Sequence, residues 1–248
     1  MLGQYLELSV HAPDIIDSLV FYKTLGFSEL ESGDVWPHKY AVVSDGKLCI
    51  GLHEREFEEP TLTFVHRDLA KHARAMSDHG FDFNLLRIDT DVFNELGLRD
   101  RDGHMISMIE ARTFTPPAED VERSICGDWF ELSLPAKDAM RAGRFWAPLA
   151  PVMIELREEP TPHLRFDAAG MPLGLSEHNA LKTPSLCFVC NDLSSVLADV
   201  ERHGLNIDTN PRYESSFVSI EAPEGTTLYI FESDFLAPEE IDDSESSP

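Results

Sequence analysis

Two hydrophobic rhythms take turns along this chain. In QYLELSVH, starting at Gln4, the apolar Leu6, Leu8 and Val10 alternate with Glu7, Ser9 and His11. That period of two predicts a strand with one apolar face. Asp14 follows as a helix cap, and Ile15, Leu19 and Tyr22 then fall near helical spacing until Gly26. YAVVSDGKLCIGLHE next predicts two strands around a hairpin at Asp45-Gly46. The same order of events returns at Asp68, Asp138 and Asp192, each preceded by an alternating apolar run. Gly26, Gly80 and Gly204 stop three of the four helices, and Ala150-Pro151 stops the fourth. RDRDGHMISMIEA and APEGTTLYIFES each set a glycine turn before a final strand. One unit of strand, helix and two or three further strands is thus used four times.

The repetition is also visible residue by residue. With an offset of 124 positions, Glu7, Leu8, Ser9, Ala12, Asp14, Phe21 and Leu25 match Glu131, Leu132, Ser133, Ala136, Asp138, Phe145 and Leu149. At the same offset Pro60, Leu62, Phe64, Val65, Asp68, Leu69, His79 and Gly80 match Pro184, Leu186, Phe188, Val189, Asp192, Leu193, His203 and Gly204. Such self-similarity marks a duplication. The expected organisation is a lobe over residues 1–111, a polar Pro116-Pro117 linker over 112–127, a second lobe over 128–233 and an acidic, disordered tail over 234–248.

Composition narrows the partners. The formal charge is −25, from 45 Asp+Glu against 20 Lys+Arg, which repels nucleic acid and anionic membranes. Apolar runs stay shorter than the roughly 18 residues that a spanning helix needs, and MLGQYLELSV does not read as a secretory signal. A cytoplasmic location is therefore expected. Cys187 and Cys190 form a CxxC within a strand. Strand geometry points these two to opposite faces, and in a chain of this length without a secretory signal all four cysteines, Cys49, Cys126, Cys187 and Cys190, are expected as free thiols.

The first strand of each half also carries the candidate chemistry. If Leu6, Leu8 and Val10 face the helix, Glu7 and Ser9 face the other way, and so do Glu131 and Ser133. A buried carboxylate must be solvated, paired or poised for proton transfer. Three roles follow for Glu7 and Glu131: a structural bridge, a general acid or base, or a metal ligand. Trp36-Pro37-His38 falls in a loop that lines the rim or packs into the core, and His79 and His203 cap helix C-termini.

Asp14, Phe21-Tyr22 and Leu25-Gly26-Phe27, with the later Asp100, Asp102, Gly103 and His104, resemble the module pattern of the vicinal oxygen chelate superfamily. That superfamily holds glyoxalase I, bleomycin-resistance proteins and extradiol dioxygenases, and the resemblance covers residues 4–111 and 128–233. It implies an α+β fold of four βαβββ modules in two pseudo-symmetric lobes. Each lobe would be a curved, mostly antiparallel eight-stranded cup with helices outside. It also implies metal ligands on the first strand of each module and on the last strand. Those positions hold Glu7, Thr61 and Ser107 in one half and Glu131, Ser185 and Tyr229 in the other.

Each half thus keeps one carboxylate and lacks the imidazole and second carboxylate that iron, zinc, nickel or manganese would need. The expected metal set is none; if an ion is held, Glu7 with His53 holds it, with His11 and His66 as further candidates. Ser9, Thr61, Ser107, Ser133, Ser185 and Tyr229 are the expected ligand-binding side chains. The expected function is binding, and transformation, of a small organic molecule in a cup with a degenerate metal site. The alternatives are a metal-dependent lyase of the lactoylglutathione lyase kind, an extradiol-type dioxygenase, or a sequestering resistance protein without turnover. Either a monomer or a homodimer fits the duplication.

Overall fold

A computed structural model describes residues 1–31, 36, 38–56, 59–90, 93–111, 124–159, 161–207 and 217–233. The expected linker, apart from its last residues, and the expected tail lie outside this set. The first module runs β1 (Gln4–His11), α1 (Ile15–Thr24), β2 (Ser28–Leu30), β3 (Tyr40–Ser44) and β4 (Cys49–His53). The second runs β5 (Thr61–His66), α2 (Leu69–Asp78), β6 (Leu85–Arg87), β7 (Glu95–Arg99) and β8 (Met105–Glu110). The third comprises β9 (Asp128–Pro135), α3 (Ala139–Trp146), β10 (Val152–Arg157), β11 (His163–Ala168) and β12 (Met171–Ser176). The fourth comprises β13 (Ser185–Cys190), α4 (Leu193–Arg202), β14 (Phe217–Glu221) and β15 (Thr227–Glu232).

The modules pair into two open sheets, ordered β2-β3-β4-β1-β5-β8-β7-β6 and β10-β11-β12-β9-β13-β15-β14. Most pairings are antiparallel; β1–β4, β5–β8, β9–β12 and β13–β15 are parallel. The second sheet has seven strands among the described residues rather than the expected eight. The stretch between α4 and β14 includes residues 208–216, which lie outside the description.

The helices start where a carboxylate accepts free backbone N–H groups. Asp14, Asp68, Asp138 and Asp192 cap α1 to α4, accepting from Ile16 and Asp17, Lys71, Arg141 and Ser195 respectively. His79 and His203 occupy the C-caps of α2 and α4, where each Nδ1 lies 2.7 Å from the carbonyl oxygen four residues back. Leu8, Leu62, Leu132 and Leu186 are fully buried and join the apolar cluster formed with the helices. The opposite face of the central strands is left to Glu7, Ser9, Glu131 and Ser133, as period two requires.

Among the contacts that join the halves, four form two pairs related by the same 124-residue offset. The Tyr22 hydroxyl donates to Glu224 (2.7 Å), and the Trp146 indole donates to Asp100 (3.0 Å). The backbone N–H of Ile125 donates to the Leu25 carbonyl (2.9 Å), and the Met1 amine donates to the Leu149 carbonyl (2.7 Å). Asp100 also accepts from the N–H groups of Asp102, Gly103 and His104, so the Asp-x-Asp-Gly-His run is a turn and a lobe contact.

Candidate functional site

The N-terminal sheet gathers its polar side chains on Glu7. The Glu7 carboxylate is fully buried. Oε1 accepts from Ser9 Oγ at 2.8 Å and lies 2.8 Å from His53 Nε2, while Oε2 accepts from the Tyr40 hydroxyl at 3.1 Å. Ser9 also meets the Thr63 hydroxyl at 2.8 Å. Strand register explains the convergence: Ser9 lies beside Gly51 on the parallel β4, Tyr40 pairs with His53 across β3–β4, and Glu7 pairs with Thr63 on β5. Gly51 makes the space, because a Cβ there would stand 2.3 Å from the Glu7 carboxyl carbon.

His53 extends the network outward. Its Nδ1 lies 2.9 Å from His38 Nε2. A carboxylate only accepts, so ionised Glu7 requires a hydrogen on His53 Nε2; a neutral His53 then leaves Nδ1 to accept from His38. His38 is half-buried, and Trp36 packs against both imidazoles and against Phe93. The Trp36 indole nitrogen is buried without a hydrogen-bond partner. Burial, then the neighbouring His53 and Arg55, lowers the His38 pKa below the ordinary imidazole value. Burial, then the charge of Glu7 and the bond to it, raises the Tyr40 pKa, so this phenol stays a donor.

The C-terminal sheet repeats the carboxylate with different company. Glu131 Oε1 accepts from Ser133 Oγ at 2.9 Å, and Oε2 lies 3.2 Å from His163 Nε2. Arg165 Nε stands 3.4 Å from the same oxygen, close enough to neutralise it though without hydrogen-bond alignment. The guanidinium is fixed by the Phe130 carbonyl at 2.6 Å and lies over the Phe130 ring. Gly174 mirrors Gly51, with a Cβ position 2.0 Å from Glu131 Oε1. The register pairs Tyr40–His53 and Val42–Gly51 correspond to His163–Ser176 and Arg165–Gly174. Tyr40, Val42 and His53 are thereby exchanged for His163, Arg165 and Ser176. Cys187 replaces Thr63 opposite the glutamate, and burial followed by the Glu131 charge pushes its thiol well above the ordinary range.

Not every expected side chain joins these clusters. Thr61 and Ser185 donate to the carbonyls of Glu59 and Thr183, two residues back, and sit opposite Ser9 and Ser133 rather than the glutamates. Ser107 is buried beside Thr63 on the neighbouring strand. The Tyr229 hydroxyl donates to the Ala180 carbonyl at 3.1 Å. His66 stacks on His72, and His11 makes no hydrogen bond to Glu7. Tyr40, Thr63, His163 and Arg165 were missed, since hairpin register decides which side chains of β3 and β11 meet the carboxylate. All four cysteines are free, and Cys190 sits with the helix-side core while Cys187 faces Glu131.

The donor sets do not fit the divalent ion that the fold resemblance implies. No group of three His, Cys, Asp or Glu side chains converges among the described residues. Around Glu7 the other donors are one imidazole and hydroxyls, and around Glu131 a guanidinium stands where a cation would go.

Solved structures share this arrangement of paired modules in two open sheets across most of the chain. A catechol 2,3-dioxygenase superposes with a TM-score of 0.60 at 12% identity, covering 96% of this chain and 90% of that one. The 2,3-dioxygenase LapB from Pseudomonas sp. KL28 gives 0.59 at 12%, covering 94% and 93%. An extradiol ring-cleaving dioxygenase from B. fuscum gives 0.61 at 13%, covering 93% of this chain and 71% of that one. At these identities the likeness is one of fold. No family model and no curated protein sequence matches the chain.

Proposed function

We propose that the N-terminal lobe binds a small organic molecule at the Glu7 face and exchanges a proton with it, while the C-terminal lobe serves as scaffold. The observation behind this reading is the unequal treatment of two equally buried carboxylates. Glu131 is met by the His163 imidazole and also by the fixed charge of Arg165. Glu7 meets the His53 imidazole with no guanidinium beside it among the contacts described, and His53 in turn meets His38. A carboxylate linked to two imidazoles in series has groups that can take up and release a proton. The guanidinium beside Glu131 cannot release one.

Trp36, His38 and Phe93 offer flat, partly apolar faces, which suit a planar or aromatic ligand. The fold of the ring-cleaving enzymes is consistent with a small organic partner, though their chemistry does not transfer with the fold. A panel of aromatic and carbonyl compounds, read by thermal shift, tests the reading. Binders of the wild type are expected to lose their effect in Glu7→Gln and His38→Ala and to keep it in Glu131→Gln. A stoichiometric transition metal whose removal by a chelator abolished binding would overturn it, as would binding that depended on Glu131 instead of Glu7.

A further inference from the structure

The two sheets end differently at corresponding edges. In the N-terminal sheet the edge strand is β2, three residues long with the sequence Ser-Glu-Leu. In the C-terminal sheet the same edge is β10, six residues long with the sequence Val-Met-Ile-Glu-Leu-Arg. Natural sheets guard such edges by brevity or charge, since an open edge offers unpaired backbone groups. β2 is guarded and β10 is not. Val152, Met153, Ile154 and Leu156 are 57%, 52%, 49% and 43% exposed.

We propose that β10 pairs antiparallel with β10 of a second copy of this chain, forming a homodimer with its twofold axis at Leu156. Charge favours this register over the axis one residue earlier. Like charges elsewhere on a chain of net charge −25 oppose self-association, so the contact belongs on an apolar strip. Within β10, neither Glu155 nor Arg157 forms an ion pair among the described residues, and Arg157 Nε has no hydrogen-bond partner. The two share one face, because their partners on β11 are Arg165 and His163. An axis at Leu156 sets each Glu155 opposite the other copy's Arg157. An axis at Glu155 would instead oppose two carboxylates. Leu156 then meets its own copy on the other face. Paired edges of this length bury less than the ~800 Å² per partner of a standard interface, so micromolar association is expected.

Sedimentation analysis over a concentration series, with circular dichroism to verify folding, tests the proposal. The wild type should dimerise, and more strongly as salt screens the net charge. Leu156→Lys should yield a monomer. Glu155→Arg and Arg157→Glu should each weaken the dimer at least tenfold, and the two together should restore it, because the double exchange re-forms both ion pairs. A wild type that stays monomeric throughout, a Leu156→Lys protein that still dimerises, or a double exchange no better than either single one overturns the assignment.

Discussion

At the scale of the residue, a buried carboxylate is held by what stands next to it and by what is missing there. Gly51 and Gly174 are required by close approach, since any Cβ would enter the space of Glu7 or Glu131. Gly51→Ala should lose about 1–3 kcal/mol in urea unfolding, and most of that cost should vanish in a Glu7→Ala background. Equal costs in both backgrounds would show that the carboxylate is not the obstacle.

The thiols give a pH prediction. Burial pushes Cys49 up to about 11 and Cys126 up to about 12, from an ordinary 9.0. Their unfolded forms lose protons first, so the stability they confer is complete below 9.0 and falls as pH rises through the folded values. Urea midpoints should drop on the alkaline side of 9.0, and less so in Cys126→Ala. The glutamates themselves were legible, because alternation in one strand decides which way they face. Tyr40, His163 and Arg165 were not, because their approach depends on hairpins whose loops and bulges a sequence does not reveal.

At the scale of the element, local chemistry carried most of the message. Four aspartates before four apolar-periodic runs announced four helices, and each of them accepts backbone N–H groups as expected. Asp138→Ala should cost about 0.5–2 kcal/mol, measurable as a lower urea midpoint with the far-ultraviolet spectrum retained. An unchanged midpoint would remove the cap from the account. The short strands were harder to read. β2 and β6 have three residues each, too few for a period to show, and they form because longer neighbours offer them an edge. In β10 the exposed residues include Met153, Ile154 and Leu156, and a register shift between Met153 and Glu155 breaks the alternation by which strands are recognised.

At the scale of the whole molecule, the halves are joined by carboxylates that reach across. Glu224→Ala would leave the buried Tyr22 hydroxyl and the Ser18 hydroxyl without their acceptor. A loss of about 1–3 kcal/mol is expected, and no change in unfolding free energy would show that these bonds are idle. The duplication was legible as an offset of 124 residues, whereas the reciprocity of the contacts it created required knowing which turn touches which helix.

That reciprocity bears on ancestry. The ring at position 22 and the acid at position 100 lie in one half, and their counterparts at 146 and 224 lie in the other. A forebear with a single half would have carried both the key and the lock, and two such molecules would have clasped each other in the way the fused halves do now. Fusion then turned an encounter between twins into a fixed arrangement, within which the neighbours of Glu7 and Glu131 came to differ.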